Sequence, residues 1–147
     1  MIKKDSSKVT GSVNVVVRGE DGAVKQEFTV PNLVVDSGLN FIASRMEGTA
    51  DAVMSHMALG TDNTSAASGD TTLGTEVARV ALTSGVASSN AMTYIATFPA
   101  GTGTGALTEA GVFNDPTSGD MLCRTVFAVI NKGASDSMTV TWTVTIS

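Results

Sequence analysis

One glutamate stands out among the residues that could do chemistry, because the strand pattern places its carboxylate on an apolar face. Side chains alternate between the two faces of a strand, so Glu109 is predicted to share a face with Leu107 and Phe113. A buried carboxylate has to be paired or hydrogen-bonded, and Arg79 and Arg124, in neighbouring predicted strands, are the candidate partners. A catalytic acid is the rival interpretation. We favour a structural ion pair and expect Glu109→Ala to weaken folding or assembly.

The other residue types that carry chemistry predict neither catalysis nor metal binding. His56 is the only histidine, and we interpret it as a half-exposed strand residue rather than a general base or zinc ligand. Four turn residues could offer oxygens to calcium but lack the spacing of a calcium loop, and such residues usually cap their own backbone: Asp62, Asn63, Asp70 and Asp115. A Ser–His–Asp triad assembled by the fold stays open, although no G-x-S-x-G sequence occurs. We therefore expect no enzyme activity, no cofactor and no metal ion.

Composition indicates one ordinary domain and disfavours several kinds of partner. The 147 residues are 42% hydrophobic and only 16% charged, as is typical of a chain that folds around one core. The formal net charge of −5 argues against binding to nucleic acid or to an anionic membrane surface. Cys123 is the only cysteine, so no disulfide can form within the chain. No signal peptide or membrane-spanning run is recognisable, and we expect a soluble intracellular product.

Alternating patterns predict a mainly β protein. Residues 137–147 alternate large apolar residues with threonine, which predicts a half-buried strand carrying the only tryptophan. Asp21 and Gly22 lie between two alternating runs and predict a hairpin turn. About eight such strands and one short helix indicate a single antiparallel β-sandwich or jelly-roll-like domain over residues 9–147. Residues 1–8 are polar and charged, and we expect them to form a flexible arm.

The short helix is predicted over residues 37–46. Apolar residues recur there at helical spacing, and the side-chain oxygen of Asp36 or Ser37 could accept a hydrogen bond as the N-cap. Gly48 is a plausible end of the helix because glycine tolerates the left-handed conformation found there.

Two other segments bear on what surrounds the sheets. Residues 121–130 (MLCRTVFAVI) are apolar on both faces of a predicted strand. Such a strand is either covered on both sides by its own chain or offers one face to a partner subunit, and both alternatives stay open. Residues 61–74, rich in Ser, Thr, Gly and Asp, predict a loop too polar to be buried.

Several segments resemble a family of small phage and prophage virion proteins, whose members are often labelled tail fibre proteins. The resemblance covers most of the chain from about residue 30 onward. It is carried by NLVVDSGLNFIASRM (32–46), SHMALGT (55–61), LGTEVARVALTS (73–84), FPAGTGTGALTEAGVFN (98–114), RTVFAVINKG (124–133) and TVTWTVTIS (139–147). Within these segments, EAGVFN is also similar to the EIGLFD of tail-fibre attachment domains. The resemblance brings no catalytic residues.

The resemblance implies a structural protein of the virion, made in the cytoplasm of the bacterial host. We favour a capsid decoration (cement) protein that binds the major capsid protein on the outer surface of the mature head. The chain shows no repetitive shaft, which a tail fibre normally needs. Decoration also implies a homo-oligomer, for which we favour a trimer over a dimer. Lys3, Lys4 and Lys8 could contact an acidic capsid surface, although terminal segments are more often uncommitted.

Two alternatives remain at this point. The protein could instead be a fibre-type component of the tail, collar or baseplate. It could also be a carbohydrate-binding β-sandwich on the virion surface, but sugar sites usually present exposed aromatic rings. All seven aromatic residues here fall in predicted apolar strand or helix patterns.

Overall fold

The protein is a sandwich of two antiparallel five-stranded sheets with one short helix. The computed structural model describes residues 7–48 and 51–147. The first sheet has the strand order β2-β1-β10-β7-β6 and the second has the order β3-β9-β8-β4-β5. In chain order the elements are β1 (Val9–Arg18), β2 (Val24–Pro31), β3 (Leu33–Val34), α1 (Asp36–Glu47), β4 (His56–Gly60), β5 (Glu76–Ala81), β6 (Ser84–Ser88), β7 (Ala91–Phe98), β8 (Gly105–Phe113), β9 (Met121–Lys132) and β10 (Ser137–Ile146). The predicted mainly β sandwich is confirmed.

The described residues form ten strands where the sequence pattern indicated about eight. The two additional strands are β3, which has only two residues, and β6, which has five. β5 pairs with β4 in the second sheet, whereas β6 crosses to the first sheet and pairs with β7.

The strand that carries the tryptophan lies at the centre of the first sheet. β10 pairs with β1 along its whole length on one side and with β7 on the other. Its alternating residues Met138, Val140 and Trp142 are fully buried. They pack with inward residues of the second sheet, such as Met57 and Leu59, in one core cluster. The alternation of this segment therefore predicts its buried face correctly.

The helix packs against β9 and begins differently from the sequence prediction. Its N-cap is Val35, which makes no side-chain capping hydrogen bond, and the Ser37 hydroxyl donates to the carbonyl of Met121 instead. The tertiary contact with β9 thus replaces the predicted local cap. The helix ends as predicted at Gly48, which has φ of 82°. Gly38 allows close approach, because a Cβ there would collide with the backbone carbonyl of Leu122.

The doubly apolar strand is covered by its own chain along its first half. Residues 121–125 of β9 are buried on both faces, whereas Val129 in the second half is 52% exposed. A second apolar cluster covers the outer face of this sheet; its members are Val35, Ala58, Leu73, Phe113 and Met121. Leu73 belongs to the polar loop predicted over residues 61–74, which spans residues 61–75 in the structure. The loop lies on the sheet and buries the side chain of Leu73 there, although most of its residues are exposed.

Candidate functional site

Glu109 lies at the centre of a buried charge cluster under the loop of residues 61–75. Its side chain is fully buried, and its Oε1 accepts hydrogen bonds from the N–H of Gly74 (2.8 Å) and from Nε of Arg124 (3.1 Å). Its Oε2 accepts from the N–H groups of Asp62 (3.0 Å) and Thr75 (2.8 Å). The predicted contact between Glu109 and Arg124 is therefore present. Both carboxylate oxygens are committed to holding the loop.

Arg124 connects the same carboxylate to the far part of the loop. Its Nη2 lies 3.0 Å from Oε1 of Glu109, and its Nη1 donates to Oδ2 of Asp70 at 3.0 Å. Oδ2 of Asp62 lies 3.9 Å from Nη2 on the solvent side. One buried guanidinium thus meets three carboxylates. Such an arrangement fixes a single position for the loop, because an unpaired charge at this depth would be strongly unfavourable.

The face that Glu109 occupies differs from the sequence prediction. The pairing of β8 with β9 shifts register between Leu107 and Glu109, which marks a β-bulge. Leu107 consequently faces the core between the sheets, whereas Phe113 faces the second cluster on the outer side. Strict alternation cannot reveal such a bulge, so the predicted common face of Leu107 and Phe113 is wrong.

Arg79, the other candidate partner of Glu109, has a different role. It makes a bidentate pair with Glu76 at 2.7 and 2.9 Å, and its Nη1 donates to the carbonyls of Asp115 and Ser118. Its guanidinium carbon lies 3.8 Å above the centre of the Phe113 ring. Arg79 therefore fastens the turn between β8 and β9 and takes no part in the Glu109 cluster.

A buried lysine forms a second polar cluster that the sequence did not indicate. Lys132 is 1% exposed, and its Nζ donates to the carbonyls of Pro99 (3.0 Å) and Asp136 (2.7 Å). Burial lowers the pKa of Lys132. The Lys25 ammonium, hydrogen-bonded to the Asp136 carboxylate, and the Gly133 N–H lower the pKa of Asp136. This cluster holds the turn between β9 and β10.

The remaining candidate residues are engaged locally. Nδ1 of half-buried His56 lies 2.7 Å from the Ser55 hydroxyl. Asp62 accepts from the backbone and hydroxyl of Thr64, which lowers the pKa of Asp62. Burial raises the pKa of the Cys123 thiol. Within the described ranges, no group of three or more His, Cys, Asp or Glu residues is placed to hold a metal ion.

Asp115 caps the turn that follows β8. Its Oδ2 accepts from the backbone N–H groups of Thr117 (2.9 Å) and Ser118 (2.8 Å). These two bonds lower the pKa of Asp115 to about 2. The expectation that turn carboxylates cap their own backbone therefore holds for this residue.

An apolar groove opens beside the edge of the first sheet, between α1 and the strands β6 and β7. We call it the β6 groove. It consists of two cavities of about 230 and 550 Å3 that share Phe41, Met92 and Tyr94 as lining residues. Arg45 is the one charged side chain among the described lining residues, and its Nη1 donates to the carbonyl of Asp51. Sequence reasoning missed this groove, since it depends on where β6 ends relative to the helix.

The lysines of the predicted arm are only partly described. Lys3 and Lys4 lie outside the described residues. Lys8 has an exposed side chain, and its backbone exchanges two hydrogen bonds of 2.8 Å with Ser147, which extends the pairing of β1 with β10. No helix in the described part of the chain is long and apolar enough to cross a membrane.

The chain matches no protein-family model, and no curated protein or solved structure is significantly similar to it. Its function is therefore inferred from the sequence motifs and from the surfaces described above.

Proposed function

We propose that this protein is a non-enzymatic structural component of a phage virion that decorates the outer surface of the mature head. The observation that carries the proposal is the β6 groove, an apolar groove that no other described residue fills, on an acidic protein. Contiguous exposed apolar surface on a soluble domain commonly marks a site for another protein. The sequence segments that resemble small virion proteins supply the identity of that partner, the major capsid protein.

The distribution of charge supports an outward-facing position. Residues 1–8 carry three lysines and one aspartate, whereas residues 9–147 carry six Lys or Arg and thirteen Asp or Glu, a net charge of −7. An acidic body is repelled by packaged DNA. The basic first residues, including Lys3, Lys4 and Lys8, are suited to an acidic patch on the shell.

Decoration needs only modest affinity at each site. A protein that binds the mature shell, and not its immature form, stabilises the mature form by mass action. Many copies on one particle act together, and linked sites raise the overall avidity. A closed homo-oligomer matched to a capsid symmetry axis, a trimer by preference, would present several copies of the groove at once.

The aromatic residues support a protein partner over a sugar. Six of the seven are buried, and Phe28, the exception, is half-buried and packs at 5.8 Å from the ring of Phe127. A carbohydrate site normally uses exposed rings for stacking. A glycan array tests this alternative, and saturable binding to any glycan would favour it.

Binding to purified heads that lack the protein tests the proposal. We expect added protein to bind mature heads saturably, and to raise the temperature at which they release DNA. Replacing Lys3, Lys4 and Lys8 together by glutamate should weaken binding in a salt-dependent manner. The matched control is Arg18→Glu, which reverses an exposed charge elsewhere. Failure of the unmodified protein to bind heads would contradict decoration, and binding to tails would favour the tail alternative.

A further inference from the structure

The four edge strands of the sandwich differ in their protection against pairing with another strand. β2 carries Lys25 and Glu27, β5 carries Glu76 and Arg79, and β3 is only two residues long. Charges and short length are the usual means by which edges avoid pairing. The remaining edge, β6, has the sequence SGVAS, with neither a charge nor a proline. Among the described residues, no strand pairs with its free side.

The sandwich is also open beneath this unprotected edge. Gly85 and Ala87 of β6 pair with Tyr94 and Met92 of β7, and all four residues line the β6 groove. The two β6 residues are too small to reach across the groove to Phe41 on the helix. The space of the groove therefore stays unfilled by other described residues where a further strand would lie, with the buried rings of Phe41 and Tyr94 among its lining residues.

We propose that β6 accepts an extended segment of a partner protein as a sixth strand of the first sheet. An added strand lies about 4.8 Å from its neighbour and directs every second side chain to the same face. Large apolar side chains at alternate positions of the segment would enter the β6 groove. The backbone of the segment would form hydrogen bonds with the free edge of β6. Main-chain bonds then supply affinity and the groove supplies selectivity. The assignment of that segment to the capsid protein rests on the proposed function.

A second copy of this chain fits the groove less well than an extended segment with large apolar residues. In an antiparallel pair of two β6 strands, the residues facing the grooves would be the partner's equivalents of Gly85 and Ala87. These side chains cannot fill cavities of about 230 and 550 Å3. The other edges carry charges or are very short. The occupant is therefore an extended segment that carries large apolar residues at alternate positions.

Two synthetic peptides of equal composition provide the direct test with the full chain. One ten-residue peptide alternates threonine with Val, Ile or Leu between terminal lysines, and the other contains the same residues in blocks. We expect saturable fluorescence-polarisation binding of the alternating peptide, at least about tenfold tighter than that of the block peptide. We also expect bound peptide to slow amide hydrogen exchange in Ser84–Ser88. Equal affinity for both peptides, or unchanged exchange in β6, would overturn the proposal.

A pair of matched substitutions localises the site. Ala87→Glu places a charge at the groove and should weaken peptide binding at least about tenfold, since a charge is costly in an apolar site. Ala106→Glu makes the same change at an exposed position of β8 and should leave binding unchanged. Equal losses in both variants would contradict a site at β6.

Head binding distinguishes this inference from the proposed function. If heads bind the unmodified protein and Ala87→Glu equally well, the β6 site for the shell protein is wrong while decoration stands. If the alternating peptide binds selectively but heads do not bind the protein, the strand site stands and decoration is wrong.

Discussion

The two sheets of this sandwich are completed in opposite ways. The outer face of the second sheet is covered by the loop of residues 61–75, whose backbone is held by the buried Glu109–Arg124 pair. The edge of the first sheet at β6 is uncharged and borders an apolar groove. The loop makes an internal contact that is specified by charge and hydrogen bonds, whereas the groove beside β6 is an external surface that a partner can cover.

We therefore expect the buried ion cluster to determine stability and the β6 edge to determine binding. Removing one member of a buried ion pair leaves the other charge buried without a partner, which lowers the free energy of unfolding. Changing an exposed residue at a strand edge usually alters stability little. Substitutions at the ion cluster should therefore destabilise the fold, whereas substitutions at β6 should mainly affect binding of a partner.

The largest expected effect is that of Glu109→Ala. This change leaves Arg124 without its buried carboxylate and removes the acceptor for three loop N–H groups. We expect the free energy of unfolding to fall by about 3–5 kcal/mol, measured by denaturant unfolding. The control is Glu76→Ala, which breaks the more exposed pair with Arg79 and should cost about 1 kcal/mol or less. A loss below about 1 kcal/mol for Glu109→Ala would contradict the role of the cluster.

The next largest loss of stability is expected for a substitution that displaces the helix. Gly38→Ala would push α1 away from the carbonyl of Leu122, and overpacking of this kind typically costs about 1–3 kcal/mol. Since Phe41 of the same helix lines the β6 groove, peptide binding should weaken as well. Gly69→Ala, where an added methyl group meets open space, is the control. Indistinguishable melting temperatures for the two variants would show that the close approach is unimportant.

How far the sequence predicted the structure depends on whether the signal was local. The alternation of β10, the Asp21–Gly22 turn and the end of the helix at Gly48 are set by nearby residues and were correct. The hydrogen bonds from the loop to Glu109 span 34 to 47 residues, and nothing near Gly74 or Thr75 indicates them.

Predictions from the sequence were wrong or missing where small residues and long-range contacts determine the conformation. SGVAS resembles a turn by composition, and only its pairing with β7 makes it a strand. The bulge between Leu107 and Glu109 is set by pairing with β9, and the buried Lys132 donates a hydrogen bond to the carbonyl of Pro99, 33 residues away. Arg124 could be selected as a partner of Glu109 because both charges lie in apolar strands. Arg79 also lies in an apolar strand, but it pairs with Glu76 instead.

Acid should lower the free energy of unfolding, because three loop and turn carboxylates have lowered pKa values in the folded state. The pKa values of Asp62, Asp115 and Asp136 are lowered from 3.8 in the folded state, that of Asp115 to about 2. The unfolded state therefore binds more protons, so the stabilisation is complete well above pH 4 and is lost as the pH falls toward 2. Denaturant unfolding of Asp115→Asn should depend less steeply on pH in this window. An unchanged slope would contradict the capping role of Asp115.

The smallest expected change in stability is that of Ala87→Glu. Because Ala87 is exposed at the strand edge, its replacement should shift the free energy of unfolding by no more than about 0.5 kcal/mol. The same variant should lose most peptide binding, so the two measurements together separate the edge from the ion cluster. A large loss of stability would remove the contrast between the two regions.

The copy number of the protein in purified virions tests the proposed function most directly. Quantitative mass spectrometry against the major capsid protein gives the ratio of the two chains. A decoration protein should be present at a ratio near one, or at a fixed large fraction of one. A few copies to a few dozen per particle would contradict decoration and favour the tail, collar or baseplate, and complete absence would exclude any virion role.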